Sequence, residues 1–230
     1  ARIARLDTEW AIDTALPELC GRALSREITE RHGAVLGVAE LLPALAEAGA
    51  TLPAEVSTQA ANLVLDIEKA RLYRGKGGEL MRAAVCSLIG GSANARLGLS
   101  KRSFEGHLST LDEALRHPSA DVRAAAAASL PTFCERRLLD DSRAIKLQAG
   151  REIAEKFVGM VKEQNVAARR GGALALSALP AELLAVCGEL VLHTVGAACH
   201  LEEDADERDA ESRAAAARSA ATLAAALPSL

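Results

Sequence analysis

The chain has 230 residues, half of them apolar, yet only one Trp, one Tyr and three Phe; a core of Leu, Val and Ile around small Ala and Gly suits stacked helices, not a β-sandwich built on aromatic and β-branched side chains. Its 27 basic residues are outnumbered by 31 acidic ones, for a net charge of −4, and no basic block is long enough to follow a phosphate backbone, which argues against a nucleic-acid partner. No run of residues nears the length of an apolar membrane span and the N-terminal ARIARLDTEW lacks a signal-peptide core, so no membrane insertion is expected.

In chain order, residues from about Leu6 to Ala23 predict a helix interrupted by Pro17, followed by a helix capped at Thr29 and ended by Pro43. Thr51-Leu52-Pro53 opens the next, with the proline at an early helical position. That helix should run through LVLDIEKARLY to a turn at Gly75-Lys76-Gly77-Gly78. Ser103 opens a helix that ends near His117-Pro118, and Asp121 caps one that contains Pro131, which should kink or shorten it. Asp141 or Ser142 opens a long helix through REIAEKFVGMVKEQ. Asn165 caps another, which ends before Pro180. Pro180 in turn opens a helix through LLAVCGELVLHTVGAAC, and Asp209 caps the last. Thr29, Asp121, Asn165 and Asp209 share a side-chain oxygen able to accept from the orphan amides of a first helical turn.

A period runs through these elements. Stepping from Arg31 to 77, 123, 169 and 213 gives RHGAVLGVAEL, GGELMRAAVCS, RAAAAASLPTF, RRGGALALSAL and RAAAARSAATL, spaced by 46 residues three times and then 44. A small residue stands six places into each segment: Gly37, Ala83, Ser129, Ala175 and Ser219. Apolar residues surround it at three- and four-residue spacing, one face of a helix. A helical period of this length fits HEAT or armadillo arrays. The reading is an all-α HEAT/armadillo-type α-solenoid of about five helix pairs, one domain over residues 1–230, each periodic segment being the second helix of its pair. Neither end offers a polar capping repeat, so the chain reads as a segment of a longer array.

Little in the sequence speaks for chemistry. Gly75-Lys76-Gly77-Gly78 has neither the spacing nor the preceding strand of a phosphate loop and reads as a turn. Cys187, His193, Cys199 and His200 point three ways from a continuous helix and cannot gather one tetrahedral ion. The five cysteines, without CxxC pairs, read as reduced, mostly buried thiols of a cytosolic protein. No Ser/His/Asp or Cys/His arrangement and no catalytic carboxylate pair can be singled out, so no cofactor, metal or catalytic residue is expected. Binding residues are sought among the charges. Arg31, Arg123, Arg169 and Arg213 recur in phase and are expected to pair with acidic neighbours such as Glu30, Asp121 and Asp209. The alternative is a ladder that docks an acidic protein. Arg74, Lys76 and Arg170 fall outside that phase and are the better contact candidates, with Arg169 beside them. The acidic run that includes Glu202, Glu203 and Asp204 reads as a solvated loop able to steer a basic partner.

LPELCGRALS (16–25), RHGAVLGVAEL (31–41), LYRGKGGELMRAAVCSLI (72–89), RRGGALALSALP (169–180) and AESR (210–213) resemble, in order, the C-terminal region of the tubulin-folding cofactor D family. The 72–89 block is the most specific; the Ala-rich third repeat and the last helix match weakly, and the heavy Ala usage departs from the family. The resemblance implies a helical HEAT-type protein of the cytoplasm and microtubule cytoskeleton. It implies a chaperone that takes β-tubulin after the chaperonin, joins tubulin cofactors C and E around the αβ heterodimer, promotes GTP hydrolysis by tubulin and associates with an Arf-like small GTPase. The matched residues look like helix-packing positions, so no tubulin-contacting residue is carried over. A general HEAT scaffold for other partners and a helical enzyme are the competing readings; the absence of clustered titratable residues counts against the enzyme.

Overall fold

Helices make up the regular structure throughout the computed structural model, which describes residues 6–142, 144, 146–199 and 209–226; no β-strand occurs among them. The first helix, α1, is assembled from Thr8–Trp10, a π turn at Ala11–Ala15, and Leu16–Arg22. Pro17 has no N–H to give a carbonyl one turn back, and the widened turn absorbs that loss just before it, so the rod continues through the proline. Then follow α2 (Ile28–Glu47), α3 (Ala54–Lys69), α4 (Gly78–Asn94), α5 (Lys101–Leu115), α6 (Ala120–Leu138), α7 (Leu147–Val161), α8 (Val166–Ala178), α9 (Ala181–Val186), α10 (Gly188–Ala198) and α11 (Ala210–Ala226).

The chain divides into two units, residues 1–114 and 115–230. Within the first, α1 packs on α2 and α3, and α2 packs on α4. The amphipathic α5 lies along α3 and α4: the Ser103 hydroxyl bonds Asn62 Oδ1 at 2.9 Å, and Arg82 pairs with Glu113 at 3.6 Å. Within the second, α8 packs on α6 and α11, while α7 packs on α8, α9 and α10. The periodic segments are thus the helices that stack on one another, α2 with α4 and then α6 with α8 with α11, and the intervening helices form the other layer of each unit.

Close stacking needs missing side chains. A Cβ on Gly91 of α4 would overlap the carbonyl oxygen of Ala39 in α2, and a Cβ on Gly171 of α8 would overlap that of Leu115 at the end of α5. Both oxygens lack an intrahelical donor. Pro43 cannot donate to Ala39, and Leu115 sits in a terminal turn. Gly172 faces α7, where a Cβ would come within 2.7 Å of Met160 Cβ. Of the five small positions, Ser129, Ala175 and Ser219 are buried; Gly37 and Ala83 are half-buried, and a Cβ on Gly37 would meet Leu19 Cδ1 at 3.1 Å.

Several expected boundaries are corrected. Pro43 does not end α2, which runs on to Glu47 because its apolar face stays packed on α4. Pro131 does not shorten α6, which continues to Leu138. The helix after Pro53 stops at Lys69 rather than at the 75–78 turn. There the Arg71 amide bonds the Glu68 carbonyl at 2.9 Å and the Leu72 amide the Ile67 carbonyl at 3.2 Å, a Schellman closure with Arg71 at φ 56°. Gly49 (φ 71°) and Arg96 (φ 51°) close α2 and α4 in the same way. Helix α5 starts at Lys101, capped by Ser100 Oγ accepting from the Ser103 amide at 3.1 Å. Neither Asp141 nor Ser142 opens α7, which begins at Leu147. Asn165 and Asp209 cap as expected, but Thr29 and Asp121 lie inside their helices. The helix after Pro180 breaks at Cys187 into α9 and α10.

Gly91→Ala and Gly171→Ala should each lower unfolding stability by about 1–3 kcal/mol, the usual cost of overpacking, whereas Gly21→Ala, where a Cβ meets nothing within 4 Å, should not. Urea unfolding of the three variants is the check. Equal midpoints for all three would mean that these helices are not in backbone contact.

Candidate interaction surface

The in-phase arginines do not form an open ladder, nor do they pair with Glu30, Asp121 and Asp209. The guanidinium groups of Arg31, Arg123 and Arg169 instead reach back to the turn before their own helices. Arg31 Nη1 donates to the carbonyl of Arg26 at 2.6 Å and approaches that of Ser25 at 3.5 Å. Arg123 Nη1 donates to the carbonyls of His117 and Pro118 at 3.0 and 2.8 Å. Arg169 Nη1 donates to those of Glu163 and Gln164 at 3.3 and 2.8 Å. The offsets, five and six residues back, are the same three times. The repeated residue is a clasp on the inter-helix turn. Arg213 is half-buried, and the carbonyls at the same offsets from it lie outside the described residues. In the second repeat Gly77 takes the place of the arginine, at φ 84°, with the side chain of Ile28 where a Cβ would be.

Arg123 does more. It is 2% exposed, and its second nitrogen bonds Glu211 at 2.8 Å. Glu211 also takes Arg170 at 3.1 Å, and Arg170 bonds Asp209 at 3.0 Å. Asp209 accepts from the Ser212 amide and hydroxyl at the start of α11. These charges tie the N-terminal turns of α6, α8 and α11 together. Burial works against ionisation of Asp209, but the bonds from Ser212 and Arg170 outweigh it and hold the carboxyl below its ordinary range. Of the contact candidates, Arg169 and Arg170 are therefore held within the fold. Glu202, Glu203 and Asp204 lie outside the described residues.

Arg74 and Lys76 stand differently. Both are exposed on the turn between α3 and α4, along with Lys69 and Arg71. The turn itself is fixed from beneath. Tyr73 points inward between them, its ring 4.9 Å from the Arg82 guanidinium and its hydroxyl buried. Burial and the nearby Cys86 and Glu68 push that phenol well above its ordinary value, while Arg82 pulls the other way. Gly78 lets the backbone pass directly over the Tyr73 carbonyl.

All five cysteines are free thiols. Cys20, Cys86 and Cys134 are buried, which pushes them up to about 11, 12 and 12 and keeps them from acting as nucleophiles. Cys187 is half-buried at the α9–α10 break, Cys199 and His193 are exposed, and His200 lies outside the described residues. Among the described residues no group of three or more His, Cys, Asp or Glu is gathered as a metal would need, and no helix is long and apolar enough to cross a membrane.

No protein-family model matches the chain. Among solved structures it is similar to the crystal structure of an engineered protein, with 13% identity over 92% of this chain and 97% of that one. The TM-score of 0.37 is too low for the likeness to carry an argument.

Arg123→Ala should cost about 2–4 kcal/mol, because it leaves the His117 and Pro118 carbonyls without their donor and takes one of two guanidinium partners from Glu211. Arg169→Ala, on a more open clasp, should cost about 1 kcal/mol. A reversed order in thermal melts would rule out the clasp as the arginines' main role. Asp209→Asn should cost about 1–3 kcal/mol at pH 7. A carboxyl depressed by folding adds stability that is complete above its unfolded value near 4 and fades as pH falls through the folded one. The gap between wild type and Asp209→Asn should therefore be constant well above about pH 4 and narrow as pH falls below it; a gap that stays unchanged from pH 7 to the acid end of the folded range would exclude an ionised Asp209 as its source.

Proposed function

We propose that this chain is a HEAT/armadillo-type solenoid segment of a tubulin-folding cofactor D-like chaperone. It would bind β-tubulin, tubulin cofactors C and E, or both, during post-chaperonin assembly of the αβ heterodimer in the cytoplasm. The observation that carries the reading is the pair of sequence blocks LYRGKGGELMRAAVCSLI and RRGGALALSALP, whose resemblance to that family is the most specific in the chain. The layering of periodic helices within each unit supports the repeat architecture. So does the thrice-repeated arginine clasp, which gives a 46-residue period a structural cause. The 72–89 block spans the pinned basic turn and the glycine-free stretch of α4 that leads to Gly91.

On this reading the mechanism is binding. Stacked helix pairs offer a long surface that fixes the geometry of a partner, and promotion of GTP hydrolysis, like the association with an Arf-like small GTPase, belongs to the assembly rather than to a catalytic residue here. Size-exclusion chromatography of the chain with purified αβ-tubulin, alone and with cofactors C and E, tests it. Co-elution in either mixture, weakened at high salt if the charged edges are used, is expected. A folded chain that stays apart from tubulin and from both cofactors in every mixture would sink the reading.

A further inference from the structure

The cations that the fold employs are bound: Arg31, Arg123 and Arg169 on carbonyls, Arg82, Arg116 and Arg170 on carboxylates. Lys69, Arg71, Arg74 and Lys76 are all exposed, their side chains make no hydrogen bond or ion pair to a described residue, and no acidic residue lies between them. They do not sit on a loose strand. The Schellman closure holds one end, Tyr73 anchors the middle, the Arg74 amide bonds the Arg71 carbonyl at 3.2 Å and the Gly78 amide that of Gly75 at 3.1 Å. Gly77 rests on Ile28. A backbone fixed in this way loses little freedom when a ligand binds, so the ordering cost falls on the side chains alone.

Arg71 sharpens the point. It occupies the left-handed region at φ 56°, which strains an arginine and not a glycine. Gly49 fills the same place at the end of α2. Arg96 fills it at the end of α4 and has interactions within the chain. The Arg71 side chain has none to a described residue, so stability alone would favour glycine there, and it stands on the surface beside three further cations.

We infer that the 69–77 turn is a docking site for an acidic peptide segment of a partner protein. A protein segment fits better than a phosphate polymer. Glu68 and Glu79 flank the run and would repel a continuous phosphate track. Leu80, on the next turn of α4, is 57% exposed and offers an apolar contact that a peptide side chain can use and a sugar-phosphate backbone cannot. Opposite charge brings such a segment in, and the fixed turn sets its register. The inference stands whatever protein supplies the segment, so its test uses a generic probe and does not depend on tubulin.

The test is fluorescence anisotropy of a labelled glutamate-rich peptide carrying one leucine, titrated with the full chain at low salt. The wild-type chain should bind, and the variant Lys69→Gln/Arg71→Gly/Arg74→Gln/Lys76→Gln should bind roughly tenfold or more weakly. A control that removes two exposed arginines elsewhere, Arg102→Gln/Arg136→Gln, should bind as the wild type does. Arg71→Gly alone should weaken binding while leaving the melting temperature equal or higher, which separates a binding role from a structural one. Three results would overturn the inference: no peptide binding at low salt, equal affinity in the fourfold variant, or tighter binding of a labelled oligothymidylate than of the peptide.

Discussion

Helix thickness governs this structure. With so few aromatic side chains, each residue brings little apolar area to the core, and area removed from water is the main favourable term. Alanine-rich helices recover that area only by approaching until backbones touch. Gly91 over the Ala39 carbonyl and Gly171 over the Leu115 carbonyl are the points where that approach is complete. Two of the three Phe side chains, Phe133 and Phe157, lie among the largest fully buried groups, on α6 and α7. The rest of the core is Leu, Val, Ile and Ala in layers.

Close packing moves the difficulty to the turns. A short connection between tightly stacked helices buries carbonyls that neither helix can satisfy. The arginine clasp answers this. One long side chain, running back along the first turn of the second helix, donates to two turn carbonyls at once. That explains why arginine rather than lysine recurs at 31, 123 and 169: the guanidinium presents several donors from a fixed plane. Position 77 carries glycine and no clasp, and the turn before it is held instead by Tyr73 and by the contact of Gly77 with Ile28. The turn without a clasp carries four exposed cations whose side chains make no bond to a described residue.

The period and the helical class were legible because helix faces repeat where helices stack. What the recurring arginine does was not. Local sequence offered Glu30, Asp121 and Asp209 as partners, whereas the bonds go to backbone carbonyls, which leave no mark in sequence. Pro43 shows the same limit. Read locally, it ends a helix. In the structure the packing of α2 on α4 outweighs the lost bond, and the freed Ala39 carbonyl lies against a glycine 52 residues away in sequence. The break at Cys187 was likewise hidden, since LLAVCGELV has continuous helical periodicity and only its Gly188 hints at an interruption. Asn165 and Asp209 were readable as caps because capping is local.

Charge placement divides structural residues from those available to a partner, and composition cannot make that division. In sequence Arg169, Arg170, Arg74 and Lys76 look alike, four cations near helix starts. The structure separates them by what surrounds each. Arg170 joins Asp209 and Glu211 in a cluster that holds three helix ends, and its removal would leave carboxylates facing one another. Arg74 and Lys76 hang from a turn whose geometry Tyr73 and three glycines determine, so their removal would disturb nothing beneath. A surface that keeps four unpaired cations on a pinned turn, one of them in a backbone conformation better suited to glycine, carries a cost that folding alone does not explain. An acidic ligand would give that arrangement a physical reason.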